Sequence, residues 1–293
     1  MPPTTQGSPS VPASSSRFVT VDGIRIHYRE VEGLDEAIPA IFTHGGGPGS
    51  TGWSNFRLSA AAVSAGRRCY FIDFPQFGES DMVPIAGPVF SWQADKLRGL
   101  MDALGIAKAH LINQSFGGCV AIRLAAGQPQ RVASLTLIGS QPVARGVMAP
   151  LPLFSKHARN IMHDYFVADG GPSLDKMRAL IARLEYHDDE QVTEDNVRLR
   201  YEASIHPGFR ALLQTPGAFG EWEDLAPVFS AVKAPTLIFW GLHDWFGGID
   251  VPMLMLNQFA DARLHVMGNA AHHLQSECAE AFNAHLLAFL EGR

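Results

Sequence analysis

Ser115 lies in the run Asn113-Gln114-Ser115-Phe116-Gly117-Gly118. An apolar, strand-like stretch from Ala109 leads into it, and a helix-like stretch to Gly127 leads out. A serine at such a sharp turn is lifted clear of the sheet, and the small residues after it let the backbone approach itself closely. A hydroxyl presented this way attacks a carbonyl carbon when a base takes its proton. That chemistry needs three further parts: N–H donors for the developing oxyanion, the base, and an acid that aims the base.

Each part has a candidate. The buried run Pro39 to Thr43 opens into His44-Gly45-Gly46-Gly47-Pro48-Gly49. The N–H groups of Gly46 and Phe116 are the expected oxyanion donors. The run Pro235 to Trp240 is followed by Gly241-Leu242-His243-Asp244, which puts Asp244 just past a strand end. The run Ala262 to Met267 is followed by a loop that ends on His272 and His273, either of which can be the base. Serine, then acid, then histidine, each after a strand, is the chain order of the alpha/beta-hydrolases.

Other residues of these types read as structural. Asp73 sits in the turn Asp73-Phe-Pro-Gln-Phe-Gly-Glu-Ser80, and Asp250 stands where a helix cap is expected before Val251-Pro252. His44 reads as a brace for the glycine loop, Trp53 as core packing, and Cys119 as a small buried residue behind the elbow. Glu185, Asp188, Asp189 and Glu190 cluster as a solvated turn. No HExxH spacing occurs, and adjacent histidines do not converge on a metal.

The elements that must hold these residues follow from periodicity. Residues 17–21 and 24–30 read as a hairpin around Asp22-Gly23. Strands are expected near 39–43, 69–74, 109–114, 134–140, 235–240 and 262–267, with helices near 53–65, 91–104, 117–127 and 277–291. Alternation of this kind specifies an α/β fold with a mostly parallel central sheet flanked by helices. Ligands bind beyond the carboxyl ends of such strands. Between 146 and 222 the patterns are helical and no strand run occurs. Ser173 and Thr193 are expected caps there, with an apolar face of Leu174, Met177, Leu180, Ile181 and Leu184. The expected division is a disordered tail over 1–16, a core over 17–145 and 223–293, and an inserted helical cap over 146–222. Leu151, Leu153, Phe154, Ile161 and Phe166 would roof a substrate cavity.

The chain has 293 residues, 46% hydrophobic and 18% charged, as a globular protein does. A net charge of -6 argues against nucleic acid as a partner. No apolar run nears the ~20 residues of a membrane helix, and the first sixteen residues lack the apolar core of a signal peptide. Three cysteines give no disulfide framework and suit a reducing cytoplasm.

With these motifs placed, the chain resembles the meta-cleavage product hydrolases, which break a carbon–carbon bond in ring-opened aromatic compounds. The most specific piece is His44-Gly-Gly-Gly-Pro-Gly-Ser-Thr-Gly-Trp53-Ser54-Asn55-Phe56, and Arg263-Leu-His-Val through Ser276-Glu277 to Phe282-Asn283 also follows the family. The resemblance places the catalytic histidine on His272, which makes Ser115, His272 and Asp244 the expected triad. It implies that Arg200 and Asn55 hold the polar end of a 2-hydroxy-6-oxo-2,4-dienoate, with Gln114, Gly47 and His273 as further substrate contacts. The small-molecule substrate would be split between C5 and C6 without metal or cofactor, by an enzyme that is commonly a homo-oligomer in this family. Four positions, at three places, depart from the family pattern. Asn113-Gln114 stands for Gly-Asn before the serine, His273 stands for tryptophan, and Pro75-Gln76 stands for a Pro-Gly turn. An ester, lactone or aminopeptidase hydrolase, and a binding module without turnover, are the competing readings.

Overall fold

The computed structural model describes residues 11–143 and 156–291. Eight strands form the main sheet. They are β1 (Ser15–Val21), β2 (Ile24–Val31), β3 (Ala40–Thr43), β4 (Cys69–Ile72), β6 (Ala109–Gln114), β7 (Val132–Ile138), β9 (Thr236–Gly241) and β10 (Ala262–Met267), in the spatial order β1-β2-β4-β3-β6-β7-β9-β10. β1 and β2 pair antiparallel, as does β2 with β4, and every pairing from β4 to β10 is parallel. The strands expected from the sequence match those of this main sheet in number and sense, to within about two residues at each end. β1 begins at Ser15, so the expected tail gives up its last two residues to the sheet, where Ser16 Oγ bonds His27 Nε2 at 2.8 Å.

The strands are apolar on both faces because both faces are covered. Successive side chains point to opposite sides of a strand. Ile41, Leu111, Ile238 and Trp240 accordingly enter one core with α2 (Val89–Ala103), α3 (Phe116–Gly127) and α8 (Asp250–Gln258). Phe42, Ile112, Leu237 and Phe239 enter the other, with α1 (Gly52–Ser64) and α10 (Ala279–Leu290). α1 is started by a capping box, in which Thr51 and Ser54 exchange side-chain and backbone bonds.

Among the described residues, four α-helices lie between β7 and β9: α4 (Lys156–Phe166), α5 (Leu174–Leu180), α6 (Glu194–Ser204) and α7 (Pro207–Leu213). Ser173 and Thr193 cap α5 and α6 through Lys176 N and Asn196 N. Met177, Leu180, Ile181 and Leu184 are buried with Ala158, Ile161 and Tyr165 in a core of their own, against which Phe166 packs, whereas Leu174 is exposed. Leu151, Leu153 and Phe154 lie outside the described residues.

Two features correct the sequence reading. A short strand, β8 (Phe219–Glu221), does occur in the stretch read as free of strands, and it pairs with β5 (Ile85–Pro88) in a separate two-stranded sheet. Three residues leave too short an alternation to register. Asp250 is also not a cap: Ile249 holds that position, and Asp250 opens α8.

Candidate active site

Ser115 has φ 49° and ψ -112°, a region a serine rarely occupies, between the end of β6 and the start of α3. Its neighbours fix it there. Ser115 N donates to Ile138 O at 2.7 Å and Gly117 N to His44 O at 3.0 Å. Phe116 is the first residue of α3, where N–H groups have no acceptor within their own helix. Gly46 packs against Phe116: a Cβ on Gly46 would lie 3.5 Å from that of Phe116. Two N–H-bearing segments thus converge beside the serine.

His272 Nδ1 lies 2.7 Å from Asp244 Oδ2, and both side chains are buried. A carboxylate only accepts, so Nδ1 carries the proton and Nε2 keeps its lone pair. The other oxygen of Asp244 accepts from Phe246 N at 2.8 Å, and the Phe246 ring packs 4.2 Å from that of His272. Gly139 closes this site from below. At φ +55° any side chain is strained, and a Cβ would sit 2.8 Å from His272 Nδ1. Gly139→Ala is expected to cost about 1–2 kcal/mol in urea unfolding and to lower kcat at least tenfold. Wild-type values for both would contradict this placement.

Ser115 and His272 line one cavity of about 400 Å³. Gly46, Gly47, Gln114, Glu185 and His273 also line it, and so do Phe116, Cys119, Ala158, Arg159, Met162, Trp222 and Phe246. Of the expected substrate contacts, Gln114, Gly47 and His273 therefore reach the wall. Asn55 and Arg200 are absent from it among the described residues. Asn55 stands behind Gln114 and donates to Gln114 Oε1 at 3.2 Å, while Gln114 Nε2 donates to His272 O at 3.4 Å. The longer amide at 114 thus links α1 to the histidine loop. Asn113 does not use a left-handed backbone. It lies within β6 and bridges to both neighbouring strands, accepting from Thr43 Oγ1 at 2.7 Å and donating to Thr136 O at 3.1 Å. Gln76 does carry the positive φ, 78°, of the glycine it stands for, and its amide donates to Val83 O and Ala218 O at 2.7 Å each.

Glu185 is the main correction. It is not part of a solvated turn: it is 1% exposed, and its carboxylate takes both arms of the Arg200 guanidinium at 2.9 Å. After α5 the helix widens into a π-type turn over 181–185, which carries Glu185 inward while Asp188, Asp189 and Glu190 stay outside. Arg200 also donates through Nε to Pro48 O at 2.8 Å, tying α6 to the glycine loop. Burial opposes charge on Glu185, but Arg200 outweighs it and holds the carboxyl at about 2. His273 lies 3.5 Å from Glu185 and is neutral, since burial pushes its pKa down to about 3. Glu185→Leu would strand a buried guanidinium, so a loss of about 3–5 kcal/mol is expected in denaturant unfolding. A loss under about 1 kcal/mol would contradict a closed pair.

Sequence reading also missed Glu277, Trp222 and Phe246. Glu277 accepts from Ala271 N at 2.7 Å and from His187 N and Asp188 N at 2.5 and 3.0 Å, so it ties the end of the Glu185 turn to the histidine loop. The rival residues fall out as structural. Asp73 bonds His27 Nδ1 and Gly52 N at 2.8 and 3.0 Å. His44 is braced between Gly45 O at 2.7 Å and Phe74 N at 3.0 Å, and burial lowers its pKa to about 4. Cys119 is buried beneath the elbow, and burial pushes its thiol up, away from the reactive thiolate.

Comparison with known proteins gives the family. Residues 39–278 match the model of the alpha/beta hydrolase fold family. The 2-hydroxy-6-oxo-6-phenylhexa-2,4-dienoate hydrolase of Comamonas testosteroni is 34% identical over 273 residues, covering 92% of either chain. The 2-hydroxy-6-oxononadienedioate/2-hydroxy-6-oxononatrienedioate hydrolase of Burkholderia vietnamiensis is 32% identical over 290 residues, 95% of this chain and 96% of that one. The chain belongs to the meta-cleavage product hydrolases of the alpha/beta-hydrolase fold. The solved meta-cleavage product hydrolase CumD of Pseudomonas fluorescens IP01 superposes with a TM-score of 0.77 at 28% identity, over 93% of this chain and 96% of that one.

Proposed function

We propose that this chain cleaves the C5–C6 bond of a 2-hydroxy-6-oxo-2,4-dienoate, giving a 2-hydroxypenta-2,4-dienoate and a carboxylic acid, as a step in the breakdown of aromatic compounds. The observation that carries the reading is the strained Ser115 elbow sharing a cavity with a histidine whose Nδ1 is fixed on Asp244. Family membership supplies the substrate class.

In this reading the enol is first converted to its keto form. Ser115 Oγ then adds to the 6-carbonyl carbon as His272 Nε2 takes its proton. The N–H groups of Gly46 and Phe116 hold the resulting oxyanion, each donor contributing roughly 3–4 kcal/mol. The C5–C6 bond breaks, and its electron pair is delocalised into the 2-oxo acid while a proton returns from His272. Water activated by His272 releases the acid from Ser115. The helices between β7 and β9 serve as a cap: Ala158, Arg159 and Met162 of α4 form part of the cavity wall.

An aminopeptidase on the same fold would need an uncompensated acid to hold the substrate amine. Glu185 is already neutralised by Arg200, which disfavours that reading. A cytoplasmic setting is proposed from the three free cysteines, and a homo-oligomer by analogy with the family. No helix among the described residues is long and apolar enough to cross a membrane. The reading is tested by turnover of a dienoate in ¹⁸O-water. One heavy oxygen in the carboxylic acid product is expected, and an unlabelled acid or an intact chain of six carbons would overturn it.

A further inference from the structure

The order of the strands decides which way a substrate lies in the cavity. β3, β6, β7 and β9 are neighbours in that order, and each leads into one part of the wall. Gly46 and Gly47 follow β3, Ser115 follows β6, Gln141 follows β7 and Phe246 follows β9. Asn55 and Arg200, the expected holders of the dienoate's polar end, stand on the β3 side: Asn55 on α1 behind Gln114, and Arg200 bonded to Pro48 O. The carbon that Ser115 attacks carries the dienoate chain on one side and its own substituent on the other. With the chain toward β3, the carbon-6 substituent points toward β7 and β9, where Gln141 stands.

Gln141 is a polar residue in an apolar part of the wall, beside Phe246 and Cys119. It is 6% exposed, and its Nε2 is buried with no hydrogen-bond partner among the described residues. The amide lies over Gly247, where a Cβ would overlap it, so the glycine leaves the room that the amide fills. A buried N–H without an acceptor is a standing cost, and a bound oxygen removes it. No hydrogen bond among the described residues fixes the sense of the amide. Half a turn about its last bond therefore brings the donor to the cavity without breaking one. A hydrocarbon substituent would leave Nε2 unpaired in the complex. A site with an unpaired polar group discriminates against the substrate that cannot pair it.

We propose that Gln141 is a specificity-determining residue whose Nε2 donates a hydrogen bond to an oxygen on the carbon-6 substituent. The favoured substrate is then a dienoate that carries such an oxygen, ahead of one with a plain hydrocarbon group. The assignment rests on the function proposed above. Two groups present the oxygen, a neutral carbonyl and a carboxylate, and the test separates them.

Three dienoates of nearly equal shape are compared by kcat/KM, with 3-methylbutyl, 3-oxobutyl or 2-carboxyethyl at carbon 6. The wild-type chain is expected to favour an oxygen-bearing substrate over 3-methylbutyl at least tenfold. Preference for 2-carboxyethyl identifies the acceptor as a carboxylate, and equal or better use of 3-oxobutyl identifies a neutral carbonyl. Gln141→Met keeps the length of the side chain and removes the donor. It is expected to lower that preference at least tenfold without lowering Tm, because the donor it removes is unpaired in the free protein. A wild-type chain that uses 3-methylbutyl as well as either oxygen-bearing substrate would overturn the assignment, and that comparison does not depend on the variant folding. An unchanged preference in Gln141→Met would also overturn it, and with a lowered Tm would assign Gln141 to packing. Cleavage of dienoates together with either overturning result removes the role of Gln141 alone. Failure of the wild-type chain to cleave any dienoate removes the proposed function and this assignment with it.

Discussion

Ser115→Ala is expected to lower kcat for dienoate cleavage by about 10⁵-fold or more while leaving the substrate bound. Removing the hydroxyl removes the proposed nucleophile from the strained elbow, but leaves the cavity wall, Gly46 and Phe116 in place. The alanine also relieves no strain, because φ 49° is unfavourable for any residue with a Cβ. The variant should therefore fold, bind and stall. Single-turnover absorbance measurements separate these steps: a binding transient without product is the expected trace. Turnover within tenfold of wild type would end the assignment of Ser115 as nucleophile.

Asp244→Asn is expected to cost about 10⁴-fold in kcat with little change in substrate affinity. The amide can keep the 2.7 Å contact with His272 only by changing who donates. If the amide N–H points at Nδ1, the imidazole proton moves to Nε2, and the base loses the lone pair it needs toward Ser115. The second oxygen of Asp244 accepts from Phe246 N at 2.8 Å, so the asparagine oxygen is drawn to that backbone donor and the NH₂ is left facing the histidine. Comparing kcat and KM for Asp244→Asn checks this. A large rise in KM with kcat preserved would assign Asp244 to binding.

Much of this site was legible in the sequence because its parts are local. Ser115, the glycine loop, Asp244 and His272 each sit within a few residues of a strand end, and apolar runs covered on both faces mark those strands plainly. Asp244 and His272 lie 28 positions apart, yet parallel pairing of β9 with β10 brings their loops together. What escaped was set by packing over long separations. Glu185 stands in a run of acids that reads as solvated, and only a π-type turn separates it from them. A signal did exist: an arginine placed at a buried site requires an acidic partner. Glu185 is 15 positions before Arg200, at the end of the apolar series Leu180, Ile181 and Leu184. Trp222 reaches the cavity through the small β5–β8 sheet, where it packs on Phe90 at 4.7 Å, and three-residue pairing leaves no pattern to read. The role of Asn113 was equally out of reach, because its side chain bridges β3 and β7, strands far apart in sequence, with two hydrogen bonds.

The most direct test of the central claim offers the wild-type chain a 6-phenyl dienoate, a 6-methyl dienoate and a simple aryl ester side by side, following absorbance and identifying the acids released. Rapid loss of a dienoate's absorbance with an equal amount of carboxylic acid, abolished in Ser115→Ala and faster than ester hydrolysis, is the result predicted. Brisk ester hydrolysis with both dienoates left intact would contradict it, and would make this family member an esterase.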